Sequence, residues 1–431
     1  MSNQRSHGHY NPRSVVYLLI TAVIFTACEP APKDNTEHSP GPVMEEATAV
    51  QSFPEPDPAA FQSTSNFVFH QISWQYFLWL TSEVSPGKAR FETLFSDAAI
   101  DPDHANDTTH VLGGVQQANS EGILVDTNGR AIYTTMMIND VYQDFVIKNK
   151  LYDPAALQAF PADTSFPVGA LSLKAAWKIV QPGEDVSGFY TTKAPVQLLS
   201  TVNGAVVIPD DPKIAENIEV ALVGFHIAIV VNGHPEAIWA TFEHKDNVPY
   251  VAEGQVPDKS VSEANFTFYK KNTKMSDCNI NNNPVLSLNE ATQVISPVNN
   301  AVRQFRLGAG SSANQNNIDI LNAQMHAMLA PTSVWRNYFE VGAIWFVETD
   351  ALKPDWNPNS GAALTTGSTK LSNSVIETFT QNVVSQNNCF SCHNSMAVTE
   401  VSEGMKPLAG KNVSTSHILL KNYLDGKAVK R

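Results

Sequence analysis

Residues 220–244 have the sequence VALVGFHIAIVV-NG-HPEAIWATFEH. Two runs rich in β-branched and aromatic residues flank Asn232-Gly233, a dipeptide typical of the tight turn of a β-hairpin. If this turn sets the strand register, Val231 pairs with His234. We therefore predict a long antiparallel hairpin in an α+β fold whose body is a mixed, mainly antiparallel β-sheet.

Strand alternation predicts which side chains of the hairpin share a face. In the expected register His226 faces Trp239, with Thr241 and Glu243 on the same side. The opposite side is apolar and consists of Phe225, Ile227, Ile238, Ala240 and Phe242. His226, Trp239 and Glu243 could line a pocket, although Glu243 would stand roughly 13 Å along the strands from His226, too far for a direct acid/base pair. For His226 the possibilities are a core histidine satisfied by hydrogen bonds, contact with haem, and catalysis.

Other segments predict the rest of this body, which we place at residues 61–370. A dense aromatic and aliphatic run between Phe67 and Leu80 has helical character. Residues 131–137, 142–147 and 171–180 are expected to be strands, with a helix as the alternative for the last because of its alanines.

The chain carries Cys389-Phe390-Ser391-Cys392-His393 near its C-terminus. This is the spacing by which haem is covalently attached, and it would make Cys389 and Cys392 the thioether residues and His393 the proximal iron ligand. The alternatives are a zinc half-site or a redox CxxC, but no second pair of zinc ligands stands nearby at a suitable spacing. The motif therefore predicts one covalent haem c.

Residues 371–431 are expected to form a short α-helical, cytochrome c-like haem-binding segment. Apolar residues recur at helical spacing in 372–386 and 414–424, which would flank the motif as two helices. The segment is shorter than an independent cytochrome domain. Because haem is largely apolar and must be covered, the body is expected to complete its pocket.

The second axial ligand decides what such a haem can do, because a sixth protein ligand favours electron transfer and an open position allows reactions with small molecules. Met405, in a loop beyond the motif, and His417, on the last expected helix, are the candidates within the segment. A residue of the body, or no protein ligand at all, are the other possibilities.

The N-terminus predicts export to a bacterial membrane. Residues 1–27 combine basic residues with an apolar run too short to span a bilayer comfortably, as in a signal peptide. Small residues before Cys28 match bacterial lipoprotein signals, so Cys28 would be lipidated and the protein would be periplasmic or on the cell surface. A plain secretory signal or an uncleaved anchor is the alternative. Residues 28–60 are acidic and Pro-rich and predict a disordered tether.

Charge and cysteine content restrict the possible partners. The formal net charge of -14 argues against nucleic acid and favours a basic redox partner protein, while Cys28 predicts attachment to a lipid membrane. Assigning Cys28, Cys389 and Cys392 leaves Cys278 without a partner, so no disulfide framework is expected.

Six sequence motifs carry a family resemblance. They are Phe69-His-Gln-Ile-Ser-Trp-Gln-Tyr-Phe77, Gly169-Ala-Leu-Ser-Leu-Lys-Ala-Ala-Trp177, Val223-Gly-Phe-His-Ile227, Ile238-Trp-Ala-Thr-Phe-Glu-His244, Ser333-Val-Trp-Arg-Asn-Tyr338 and the CxxCH motif. As a set they resemble exported bacterial proteins of unassigned role known as cytochrome c family proteins, over most of residues 61–420. The resemblance implies haem at the CxxCH motif and no particular substrate. This chain departs from it at Ser416–Leu420, where an aromatic-rich final helix is expected.

The sequence thus predicts an exported lipoprotein cytochrome that transfers electrons. Two other classes remain open: a haem-dependent oxidoreductase or peroxidase with a substrate pocket near His226, Trp239 and Glu243, and a haem-bearing sensor or binding module. Whether the protein is an enzyme is therefore undecided from the sequence.

Overall fold

The main structural element of the folded chain is one large antiparallel sheet. The computed structural model describes residues 51–118, 120, 122–251, 255–279, 282–305, 310–370, 373–381, 388–401 and 405–425. Its α-helices are α1 (Asn66–Thr81), α2 (Asp140–Lys148), α3 (Pro154–Ala159), α4 (Ser312–Met328) and α5 (His417–Leu424). Its strands are β1 (Glu83–Ser85), β2 (Lys88–Ala89), β3 (Phe95–Ser96), β4 (Tyr133–Ile138), β5 (Leu171–Ile179), β6 (Thr191–Gln197), β7 (Ser200–Val202), β8 (Ala205–Val207), β9 (Ile214–Val231), β10 (His234–His244), β11 (Ser287–Asn289), β12 (Val294–Ser296), β13 (Tyr338–Phe346) and β14 (Thr365–Gly367).

The predicted hairpin, β9 and β10, lies at the centre of this sheet. The strand order is β14-β13-β10-β9-β5-β4-β3, and β6 pairs with the first half of β9. Every pairing between these strands is antiparallel. The prediction of an α+β fold with a mainly antiparallel sheet is therefore confirmed. The remaining strands form the two-stranded ribbons β1-β2, β7-β8 and β11-β12.

The register of the hairpin differs from the prediction beyond its turn. Val231 pairs with His234 as expected, but His226 pairs with Thr241 and not with Trp239. The reason is an irregularity between His234 and Ile238, where β10 holds two extra residues. A shift of two residues leaves each side chain on its predicted face, because strand alternation has a period of two.

The apolar face of the sheet packs against α1. This helix is buried nearly all round, as an apolar helix inside a core must be. Its Phe77 side chain is fully buried and stacks on Phe242 of β10, with ring centroids 4.4 Å apart, and on Phe225 of β9 at 5.4 Å. Helix α4 packs against both α1 and β13. These contacts form the main hydrophobic core.

A second apolar cluster covers the other face of the sheet. It contains Tyr142 and Val146 of α2, Leu157 of α3, and Leu419 of α5. The opposite face of the hairpin is therefore covered partly by the C-terminal segment. That segment belongs to the same compact unit as the sheet.

Three local predictions about secondary structure can be compared with the structure. The strands expected at 131–137 and 171–180 are present as β4 and β5 with slightly different bounds. The strand expected at 142–147 is wrong: this segment lies in α2, which begins after Asn139, whose side chain accepts a hydrogen bond from Tyr142 N. Asparagine at this position is a strong helix start signal.

The prediction of a helix at 372–386 is also wrong for the part that the structure describes. Residues 373–381 form bends and turns. The Asn373 side chain accepts hydrogen bonds from the backbone N–H groups of Val375, Ile376 and Glu377, which folds the chain back on itself. Residues 372 and 382–386 lie outside the described residues. Helix α5 falls within the second expected range, 414–424.

The N-terminal part of the chain is described from residue 51. Residues 51–60, which belong to the expected tether, already contact the body: Gln51 Nε2 donates to Met328 O at 2.7 Å, and Asn232 N donates to Pro58 O at 2.9 Å. The expected signal peptide at 1–27, Cys28 and residues 29–50 lie outside the described residues. Over the described ranges, each helix is too short or too polar to cross a bilayer.

The packing of α1 on the hairpin predicts the effect of Phe77→Ala. This substitution should lower the free energy of unfolding by about 3–5 kcal/mol, because it removes a fully buried aromatic ring and leaves a cavity. Urea denaturation measures this loss. The control is Ile320→Ala on α4, where the side chain is 47% exposed and a change within about 0.5 kcal/mol is expected. Equal losses in the two variants would contradict the account of the core.

Candidate functional site

A cavity of about 350 Å³ lies between the polar face of the sheet and the C-terminal segment. Its volume is within the range of small-molecule pockets, about 300–1,000 Å³. Four strands supply one wall, through Met136, Ser172, Lys174, His226, Ala228 and Trp239. The C-terminal segment supplies the other, through Ile376, Glu377, Thr380, Asn388, Cys389, Ser391, Cys392, His393, Ser416, His417 and Ile418.

Cross-strand pairing aligns the polar residues of the sheet wall. Met136 of β4 pairs with Lys174 of β5, Lys174 pairs with His226 of β9, and His226 pairs with Thr241 of β10. Paired residues stand side by side on the same face of an antiparallel sheet. The sheet therefore presents a thioether, an amine and an imidazole in one row.

The CxxCH motif turns so that both thiols and the imidazole reach the cavity. Cys389–Ser391 form a 3-10 turn, and the Asn388 side chain accepts a hydrogen bond from Phe390 N at 3.0 Å. The Phe390 ring is fully buried against Phe346, with ring centroids 4.9 Å apart. A buried anchor in the middle of the motif leaves its flanking cysteines at the cavity wall, where each is a thiol and not part of a disulfide.

Three contacts, one hydrogen bond and two ring stacks, hold the His393 imidazole in place. Its Nδ1–H donates to Thr415 O at 2.9 Å, which leaves Nε2 as the ring atom with a lone pair. One ring face stacks at 4.0 Å between centroids on Trp239, and the ring also stacks on His417 at 3.8 Å. Burial and the neighbouring His417 lower the pKa of His393 well below its ordinary value. The ring is therefore neutral, which is the form that ligates metals.

A second imidazole, His226, stands on the sheet wall of the cavity. Its Nδ1 is hydrogen-bonded to Thr241 Oγ1 at 2.7 Å, and its Nε2 is 3.2 Å from Glu377 Oε2. Burial alone would raise the pKa of Glu377, but His226, Asn373 and Lys174 outweigh it and lower that pKa. Glu377 is therefore an ionised carboxylate at the cavity wall.

Lys174 brings a cation to the same wall. Burial lowers its pKa, and the nearby carboxylates Glu377 and Asp97 act in the opposite direction. Its ammonium makes no hydrogen bond or ion pair with any residue that the structure describes. The cavity thus combines two thiols, a neutral imidazole and the Glu377 carboxylate on the segment wall with the Lys174 amine and the His226 imidazole on the sheet wall.

Glu243 has a structural position and does not line the cavity. It lies two residues beyond Thr241, about 7 Å along the strand, and is fully buried. It accepts hydrogen bonds from Ser374 N at 2.9 Å and Ser374 Oγ at 2.5 Å, and it pairs with Arg303. Glu243 therefore fastens residues 373–381 to the sheet. In the predicted trio of His226, Trp239 and Glu243, only the first two line the cavity.

Gly224, opposite Glu243, allows this close attachment. A Cβ atom at Gly224 would stand 2.4 Å from Phe242 O and 2.7 Å from Val375 Cγ2, so only glycine leaves room for the segment. The segment therefore packs directly on strand backbone, which positions Glu377 beside His226.

The expected distal ligands do not face His393 across the cavity. The His417 ring stacks on His393 itself, and its Nε2–H donates to Cys392 O at 3.2 Å. Met405 packs with the cluster around Leu408 and does not line the cavity. His417 thus lies beside the CxxCH motif, and Met405 packs away from the cavity.

Sequence reasoning missed Lys174 and Glu377. Lys174 is a cation between Leu173 and Ala175 in a mostly apolar strand, which is a signal for a buried functional or paired charge. Glu377 gave no such signal, because the helix expected at 372–386 would have placed it on a solvated face.

Comparison with protein-family models, with curated proteins and with solved structures gives no match for this chain. Across the described ranges, no three His, Cys, Asp or Glu side chains are grouped so that they could hold a metal ion by themselves. The function of the protein is therefore inferred from the geometry of the cavity and from the sequence motif that lines it.

The buried pair predicts the effect of Glu243→Gln. This change should lower the free energy of unfolding by about 3–5 kcal/mol, because Arg303 is left as an uncompensated buried charge. Chemical denaturation measures the loss, and Glu400→Gln, at an exposed site, is the matched control. Replacing both partners by leucine should recover much of the stability. A loss no larger than that of Glu400→Gln would contradict the anchoring role.

Proposed function

We propose that this chain is an exported c-type cytochrome that carries one covalent haem in the cavity and transfers electrons. The observation that carries the proposal is the convergence of Cys389, Cys392 and His393 on one cavity. The resemblance to exported cytochrome c family proteins points in the same direction. The short segment after residue 371 would supply the attachment residues, and the sheet would supply the rest of the pocket.

The residues present fit such a group. Cys389 and Cys392 would hold it through thioethers, and His393 would be its proximal ligand. A ligating histidine needs a fixed partner at its second ring nitrogen, and Thr415 O provides one for His393. When bound, a c-type haem supplies a one-electron redox couple.

The surrounding residues have roles that suit electron transfer. Trp239 and His417 clamp the His393 ring, so this ligand is held in one orientation. The apolar side chains of Ile376 and Ile418 keep water from part of the cavity. The ionised Glu377 stabilises positive charge at the site, which favours the oxidised state.

A second candidate function is haem-dependent catalysis or sensing. The observation in its favour is the polar group of Lys174, His226 and Glu377 in the same cavity, which could bind or protonate a small molecule. Carbon monoxide separates the two functions. A reduced protein that binds it rapidly has an open iron position and favours the second candidate, and resistance favours the electron carrier.

Attachment of haem is tested by exporting the protein in a host with haem-attachment machinery. Denaturing mass spectrometry should find one haem on the wild-type chain and none on the double variant Cys389→Ser/Cys392→Ser, because thioethers need the two thiols. Cys278→Ser is the matched control and should keep its haem, because Cys278 does not line the cavity. A wild-type chain without covalent haem would refute the proposal.

We also propose that Cys28 anchors the protein to a bacterial membrane by lipid and that its redox partner is a basic protein. Cys28→Ala should move the exported protein from the membrane fraction to the soluble fraction, because the acyl chains would be lost. Metabolic labelling with a radioactive fatty acid checks this, with Cys278→Ser as the control. Unchanged labelling of Cys28→Ala would contradict the anchor.

A further inference from the structure

We propose that His226 Nε2 is the second protein ligand of the haem iron, so that the haem is held between two imidazoles. This inference rests on the proposed function and adds a residue of the sheet to its site. Methionine and amine ligation by neighbouring residues are the competing outcomes.

His226 and His393 both have a hydrogen-bond partner at Nδ1, and the Thr241 hydroxyl is able to accept from His226 as Thr415 O does from His393. Each ring is fixed through Nδ1, His393 by Thr415 O at 2.9 Å and His226 by Thr241 Oγ1 at 2.7 Å. Ligating histidines usually donate this second ring N–H to a fixed partner, which orients the ring and leaves the Nε2 lone pair for the metal. Both rings line the same cavity.

The two imidazoles come from separate elements that meet at Trp239. His393 stacks on the Trp239 ring, and Trp239 pairs with Ala228, two residues from His226 on β9. The diagonal neighbours His226 and Trp239 are therefore about 7–8 Å apart across the strands. This places His226 on the sheet wall and His393 on the wall formed by the segment.

Ligation at Nε2 would replace one contact, the pairing of this buried atom with Glu377 Oε2 at 3.2 Å. Glu377 has another partner, since Asn373 Nδ2 donates to its Oε2 at 2.6 Å. The carboxylate therefore keeps a partner when Nε2 is used as a ligand.

The other residues that could be the second ligand of the iron are less well placed or less firmly held. His417 lies against the proximal ring, and Met405 is away from the cavity. Lys174 must lose a proton before it can ligate, and no described residue fixes its amine. Met136 lines the cavity, but a thioether has no anchor comparable to the bond from Nδ1 to Thr241.

The test uses the ferric holoprotein and its near-infrared charge-transfer band together with its electron paramagnetic resonance spectrum. These distinguish bis-imidazole, imidazole–methionine, imidazole–amine and high-spin iron. We expect the low-spin bis-imidazole signature in the wild type. Any of the other three signatures would overturn the inference while leaving the covalent haem, and absence of covalent haem would instead refute the proposed function.

Variants identify which histidine is responsible. His226→Ala should shift the iron to high spin, and free imidazole added to the solution should restore the low-spin spectrum. His226→Met should produce the imidazole–methionine band, which also shows that the pocket is folded. Met405→Leu is the control and should keep the wild-type signature, because Met405 does not line the cavity. A bis-imidazole spectrum that persists in His226→Ala would overturn the assignment.

Discussion

Burial of both faces of the β9–β10 hairpin is the constraint on which the rest of the structure depends. One face is apolar and is covered by α1. The other face carries polar side chains, including His226, and is covered by α2 and the C-terminal segment. Sheet and segment leave a cavity between them on this face. That cavity is where the CxxCH motif meets the body.

The buried Glu243–Arg303 pair and Gly224 fix how the segment lies on the sheet. They bring residues 373–381 onto strand backbone, and Glu377 thereby reaches His226. The stack between Trp239 and His393 makes a second attachment further along the chain. Residues more than a hundred positions apart thus build one site, and the site exists only when the whole unit is folded.

The sequence was sufficient for features that depend on local periodicity or spacing. The faces of the hairpin follow from a period of two, and the CxxCH motif is recognised by spacing alone.

The predicted register of the hairpin was wrong beyond its turn, because the two extra residues of β10 near Ala237 leave no signal in the alternation pattern. Residues 142–147 were wrongly predicted to be a strand, because a short apolar run suits either helix or strand. The side of the motif on which His417 lies is set by tertiary packing, so sequence distance could not predict it, and Glu377 was missed for the same reason. Lys174 did carry a signal, as a cation between apolar residues, that was overlooked.

The central claim is that Cys389, Cys392 and His393 hold a haem in the cavity beneath the hairpin. The most direct measurement is a crystal structure of the exported protein, with diffraction data collected at the iron absorption edge. The account predicts one anomalous iron peak in the cavity, next to His393 Nε2, with thioether density at both cysteines. A disulfide between Cys389 and Cys392, or a peak that appears only at the zinc edge, would contradict it.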